Sequence, residues 1–309
     1  MADQPVGEPA EEAGPHGRLT VLALVVGIAA ILGCNMVALK FALRESDPLT
    51  IQALATVVGL MTLVIAARAG RKPLRLPRHT LPGVIGVSMG MTVGSSLGVG
   101  LGVQRVSAGV AALLMATTPI ITLVLDLVVL RHRHTWHGPV GAFLGLAGVA
   151  GIAWGTGQGE VLGVLFMLLG SFGWSVGLLA MKSVQGQVPV TSFLAMQMAL
   201  GVPVLLLASY LVHGLAANWT LIFVAAVIYS GAMAKGVSFL LQLIVVRHGT
   251  ALHASLSAFL IPVFAFLAGF AFLGERIRAV ELVGAVAILL GVVLVLRSGG
   301  RSAEPEPTG

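Results

Sequence analysis

Ten long apolar runs divide this chain, and away from their ends they hold one acidic residue, Asp126. With loose boundaries the runs cover 19–43, 49–67, 81–103, 106–130, 138–155, 161–181, 190–212, 219–245, 249–273 and 279–297. A membrane-spanning helix needs about 20 apolar residues, so 309 residues suffice for about ten spans with short loops. The runs are continuously apolar, not alternating, which excludes barrel strands. Only 10% of residues are charged, against roughly 25% in soluble domains. The fold class read here is an all-α integral membrane protein with ten transmembrane helices. A single cysteine, Cys34, excludes a disulfide scaffold and any multi-thiolate metal site.

Lysines and arginines set the expected orientation. With the N-terminus inside, the cytoplasmic loops collect twelve of them, among them Arg18, Arg68, Arg71, Lys72, Lys182, Arg247 and Arg297. The outer loops hold four: Arg44, Arg105, Arg276 and Arg278. Both termini are therefore expected in the cytoplasm. The net charge of +6 belongs to these loops and to anionic lipid, not to nucleic acid. Residues 1–17, acidic and rich in Pro and Gly, lack the basic start of a signal peptide. They and residues 299–309 read as disordered tails.

Sliding the chain by about 143 residues aligns its halves. Val103-Gln-Arg-Val-Ser-Ala-Gly meets Val246-Arg-His-Gly-Thr-Ala-Leu, and Pro119 meets Pro262. Val140-Gly141-Ala142 meets Val283-Gly284-Ala285, and one residue of slippage pairs Lys40 with Lys182. The expected units are a first five-helix repeat, 18–155, and a second, 156–298. Five is odd, so the second repeat would lie inverted in the membrane, an arrangement typical of transporters. Gly83, Gly86, Gly90, Gly94, Gly98 and Gly102 put a glycine stripe down one helix face, read as a packing seam or, more sharply, a sliding surface along a pathway.

The motifs resemble those of the EamA-type transporters of the drug/metabolite transporter (DMT) superfamily. Gly33-Cys-Asn-Met-Val-Ala-Leu-Lys40 is close to the family's first-helix signature. Ser255-Leu-Ser-Ala-Phe-Leu-Ile-Pro262, followed by Leu273-Gly274-Glu275-Arg276, resembles its fourth-helix pattern. The first half departs from that pattern: after Pro119 it has Leu130-Arg131-His132-Arg133 where a Gly-Glu is expected. The resemblance covers residues 20–297 and implies two five-helix repeats, alternating access and movement of small metabolites, often export of amino acids. Small multidrug-resistance relatives use a glutamate in the first helix; no acid lies between Leu19 and Leu43 here.

Lys235 lies mid-span, where a lysine costs about 2.5–3.5 kcal/mol. It is expected either to contact an anionic substrate group or to pair structurally with Asp126. Asp126, one turn from the cytoplasmic end of its span, reads as a candidate for ion or proton coupling or as an interface acid paired with a nearby arginine. Pro119 and Pro262 sit mid-span as candidate hinges, leaving the Met115 and Ala258 carbonyls open to other partners. Asn35, Trp174, Tyr229 and Ser257 are further substrate-binding candidates, and Gln242 is a weaker one. His132, His134 and His137 lie among arginines, which oppose a metal, so no metal or other cofactor is expected. No G-x-x-x-x-G-K-[ST] or H-E-x-x-H occurs.

The reading is a multi-pass transporter of the cytoplasmic membrane, not an enzyme. It would move a small metabolite, an amino acid or related compound, outward by alternating access. An intramembrane enzyme and a passive channel for small polar solutes are the rivals. The expected partners are the small-molecule substrate and the lipid bilayer, with no nucleic acid, in a monomer or homodimer.

Overall fold

The computed structural model describes residues 15–72, 77–130, 135–155, 158–184, 187, 189–248 and 251–299. The expected tails beyond those bounds, His132 and His134, and the side chains of His253, Ser255 and Ser257 lie outside the described residues. The chain is already helical from Pro15, inside the stretch expected as tail.

Among the described residues every regular element is helical. Nine helices are long and apolar enough to cross a membrane: α1 (Leu19–Ala42), α2 (Pro48–Ala69), α3 (Arg78–Val103), α4 (Ala108–Val128), α5 (His137–Trp154), α6 (Gly159–Met181), α7 (Val190–Val212), α8 (Leu221–Val245) and α10 (Ala279–Ser298). Between the last two runs α9 (Ala251–Leu273), whose described apolar part is Phe259–Leu273.

Local chemistry starts these helices where the apolar runs begin. Asp47 caps α2, accepting from the Leu49 and Thr50 N–H groups at 2.8 and 3.0 Å, and Pro48 fits the first helical turn. Ser107 caps α4 and Thr220 caps α8 in the same way. Gly214, at φ 67°, ends α7 in the left-handed conformation that glycine tolerates. The outer surface is apolar, with Phe143, Leu211 and Leu221 exposed, as suits a lipid-facing wall. Trp136, Trp154 and Trp219 are exposed at helix ends, the depth of the interfacial aromatic belt.

Cross-contacts establish which helix ends lie together. On one face Ser46 bridges to Ala217, Lys40 meets Glu275, and Arg278 meets Glu160. On the other, His79 bonds Gln187, Lys182 meets Asp126, and Gly138 lies beside Ser298. The latter is called the near face, since α1 begins there; the former is the far face.

The packing has a regular pattern. Helix α1 lies on α9 as α6 lies on α4. Helix α2 lies on α8 as α7 lies on α3, and α3 on α6 as α8 on α1. The pairs α2–α7, α4–α9 and α5–α10 also pack together. A shift of five helices maps these contacts onto themselves, whereas those of α4 with α1 and α10, and of α2 with α3, have no comparable counterpart among the described residues.

The glycine stripe of α3 is a packing seam along its whole length. A Cβ on Gly90 would come within 2.6 Å of Gly173 O and Gly177 N. One on Gly98 would strike the Gly170 backbone, and one on Gly102 would strike Met167. Backbone-to-backbone approach of this kind needs glycine on both helices. Two π-helical stretches widen the bundle midway, Ser88–Gly94 in α3 and Tyr229–Val237 in α8. Gly201 of α7 abuts the first at Thr92, and Gly59 of α2 abuts the second at Lys235.

Candidate functional site

Two adjoining cavities occupy the centre. The larger, about 640 Å³, reaches from mid-bundle to the near-face ends of α4, α6 and α10, where Asp126, Lys182 and Ser298 line it. Its walls are mostly apolar, with Leu32, Met36, Leu123, Leu178 and Ile261. The smaller, about 160 Å³, gathers hydroxyls and amides, including Gln52, Thr56, Thr92, Ser96 and Gln197, with Lys235 among them and Leu39, Met91, Val99 and Met198 between them. Leu32, Asn35, Met36, Met115, Trp174 and Gln242 line both, so these side chains form the junction.

The π-helical stretch of α8 carries Lys235 into the polar cavity. Such stretches shift helix register locally and recur at functional sites. The Lys235 ammonium donates to Thr56 Oγ1 at 2.7 Å and Ser96 Oγ at 2.9 Å. An ammonium has three donors, so the third is left for a ligand or a solvent molecule. The structural pairing of Lys235 with Asp126 does not occur: Asp126 Oδ1 meets Lys182 Nζ at 3.3 Å instead. The two residues lie on different helices and at different depths, Lys235 in the polar cavity and Asp126 at the mouth of the apolar one. In the α3 stretch Thr92 bonds Gln197 of α7, which parallels the bond from Lys235 to Thr56 of α2.

Asn35 stands at the junction, and its Oδ1 is buried with no hydrogen-bond partner. Thr122 Oγ1, on the wall of the apolar cavity, is also buried and unpartnered. Buried acceptors left this way carry a desolvation cost. Trp174 walls both cavities and stacks on Phe239, centroids 5.8 Å apart. Tyr229 is not brought to the site: it is absent from both linings, and its hydroxyl donates to Ile31 O at 3.1 Å, tying α8 to α1. Ser257 lies outside the described side chains.

The two prolines differ. Pro119 lines the apolar cavity, and α4 breaks just before it, at Ala116 and Thr117. The Met115 carbonyl, expected to be open, accepts from Thr118 Oγ1 at 2.7 Å, and Leu114 O accepts from Thr117 and Ser171. Pro262 sits inside a continuous helix, with Gly33 of α1 against the neighbouring Ile261 carbonyl. Among the described residues no group of three or more His, Cys, Asp or Glu could hold a metal.

The far face is tied together. Glu275 Oε1 meets Lys40 Nζ at 2.7 Å, while Oε2 accepts from the Ala108 N–H at 2.8 Å, at the start of α4. Arg278 bonds Glu160 at 2.6 Å and Glu281 at 2.9 Å. The bond to Glu160, joined by that to Glu281, raises the guanidinium above its ordinary pKa.

Sequence reasoning missed the polar cavity's wall. Gln52 and Thr56 are polar residues one helical turn apart in an otherwise apolar run, and Thr92, Ser95, Ser96 and Gln197 are similar. Polar side chains within spans face the bundle interior, so that signal was available.

The model of the EamA-like transporter family matches residues 19–154 and again 161–297. Among curated proteins, the uncharacterized transporter YoaV of Bacillus subtilis (strain 168) is 24% identical over 279 residues, covering 89% of this chain and 96% of that protein. A probable terminal-alkyne amino-acid exporter of Streptantibioticus cattleyicolor is 26% identical over 260 residues, covering 82% and 86%. The uncharacterized inner membrane transporter YedA of Escherichia coli (strain K12) is 25% identical over 285 residues, covering 90% of each. One solved crystal structure superposes with a TM-score of 0.64 at 18% identity, covering 92% of this chain and 99% of that one, a likeness of fold alone. With both halves matched and the apolar helices in place, the chain is a multi-pass membrane protein that belongs to the EamA-like transporter family.

Proposed function

We propose that this protein exports a small metabolite carrying an anionic group, an amino acid or related compound, across the cytoplasmic membrane by alternating access. The observation that carries the reading is a central cavity that reaches the near face and holds Lys235 at its inner, polar end, while the far face is tied by Glu275. Lys235 would hold the anionic group. Asn35 Oδ1 would accept from a donor on the same molecule, and the apolar cavity beside Trp174 would take its body. The self-mapping packing of the helices supports ten spans in two inverted five-helix repeats. The excess of Lys and Arg on near-face loops supports a cytoplasmic near face with both termini inside. A cavity open to the cytoplasm is in position to load cargo for export, and the name of the amino-acid exporter among its relatives fits this direction.

A passive channel would need a continuous path to both faces, and the far-face ties argue against one. An intramembrane enzyme would need clustered acids or histidines at one depth. Asp126, with Lys182 beside it, remains a candidate for ion coupling. Counterflow in proteoliposomes tests the reading. Vesicles preloaded with an unlabelled amino-acid mixture should accumulate labelled amino acid, and the rate should saturate. A rate that rises linearly with concentration, without countertransport, would identify a channel.

A further inference from the structure

We infer that Lys182 and Asp126 form the near-face counterpart of the far-face latch between Lys40 and Glu275, and that the two pairs close opposite faces in alternation. The inference rests on the alternating-access reading. Lys40 and Lys182 are repeat mates, 142 residues apart; Lys40 stands in the last turn of α1 and Lys182 just past the end of α6. Glu275 and Asp126 are not repeat mates: at the 143-residue offset Asp126 falls on Gly269. The structure resolves this mismatch. The chain turns at Gly274, φ 66°, and the Glu275 carboxylate folds back against Gly269, where a Cβ would lie 2.5 Å from Oε2. A carboxylate thus stands at the same place in each half. In the first half it belongs to the helix itself, and in the second it is supplied from six residues downstream. This accounts for the missing Gly-Glu after Pro119: its electrostatic role is filled by Asp126.

The helices involved are also counterparts. Lys40 and Glu275 join α1 to the end of α9, and Lys182 and Asp126 join α6 to the end of α4. Those are the helix pairs that exchange under the five-helix shift. The two latches are in different states. The far pair is at 2.7 Å, each side chain 20% exposed, and Glu275 also holds the α4 N-terminus through Ala108. The near pair is at 3.3 Å, with Lys182 60% exposed and both residues on the rim of the larger cavity. The far pair also lines an open depression of about 480 Å³ that shares no lining residue with the two central cavities. A tight pair between that depression and the centre and a slack pair at the open mouth are the two halves of one device. When the near face closes, Lys182 draws onto Asp126 and Lys40 releases Glu275.

The test reads sidedness without substrate. A cysteine at Met115, which lines both cavities, is introduced with Cys34→Ser. Impermeant maleimide labelling is then compared in right-side-out and inside-out vesicles. The parent should label faster from the near side. Glu275→Gln should raise the far-to-near ratio about five-fold. Adding Asp126→Asn should return it toward the parent, because both faces then lose a latch. Adding Lys182→Asp to Glu275→Gln should also lower the ratio, while the swapped pair Lys182→Asp/Asp126→Lys should keep it raised. The swap supplies the reading if Asp126→Asn fails to accumulate. A ratio unmoved by Glu275→Gln, or moved the same way by Glu275→Gln and Asp126→Asn, overturns the latches. Counterflow of labelled amino acids in the same vesicles separates the readings: latches overturned with saturable counterflow intact leaves the transporter reading standing, and no counterflow in the parent removes both.

Discussion

Replacing Lys235 by Met removes an expensive charge and two hydrogen bonds together. A lysine at mid-span costs about 2.5–3.5 kcal/mol relative to an apolar residue. Its bonds to Thr56 and Ser96, at 2.7 and 2.9 Å, return roughly 1.5–3 kcal/mol each, being charge-assisted. At mid-range values the terms cancel to within about 2 kcal/mol, and methionine has a similar volume. Thr56 keeps a partner, since its hydroxyl donates to Gln52 O at 2.6 Å. Lys235→Met should therefore insert and elute as a monodisperse peak. Removing the partner of a desolvated carboxylate costs about 2 kcal/mol or more, some thirty-fold in affinity. Counterflow of amino acids should fall accordingly, and their uncharged amides should lose much less. Lys235→Arg should recover part of the activity, because a planar fork does not fill a point-charge site equally well. Because Asp126 meets Lys182 and not Lys235, adding Asp126→Asn should rescue nothing. Equal losses for acids and amides, or rescue of stability and transport by that double mutant, would refute the reasoning.

Gly98→Ala drives a methyl into the Gly170 backbone and should destabilise the bundle by about 1–3 kcal/mol, read as a lower melting temperature in detergent. Gly27→Ala meets nothing within 4 Å and should be neutral. Pro262→Ala, which restores a helix hydrogen bond, and Pro119→Ala, which frees an N–H in the first turn after the break at Ala116 and Thr117, should insert normally and slow transport; unchanged rates in both and in the double mutant would make the kinks incidental. Cysteines placed at Ala13 and Ser302 should stay shielded from an impermeant maleimide in intact cells, and labelling of either would reverse the orientation.

The membrane class was legible in the chain because hydropathy is a local property. A run of twenty apolar residues has few other fates, so the positions of the helices follow from composition alone. The two-repeat organisation was legible for a related reason: Pro119 and Pro262, and the Val-Gly-Ala blocks, keep their spacing whatever the helices pack against. The cost of a mid-span lysine is likewise local, which singled out Lys235 before any geometry.

Partner choice was not local, and there the structure decided. Asp126 lies in α4 and could have faced Lys235, but packing of α6 against α4 delivers Lys182; Arg131 and Arg133 lie outside the described residues. Tyr229 is as polar within its run as Asn35, yet it spends its hydroxyl on α1, while Asn35 turns an unpartnered acceptor to the cavity junction. The glycine stripe announced a close contact but not its partner, which proved to be glycines of α6. A sequence sets what each side chain costs to bury. Which neighbour offsets that cost depends on distances between helices far apart in the chain, and only the packed bundle sets those.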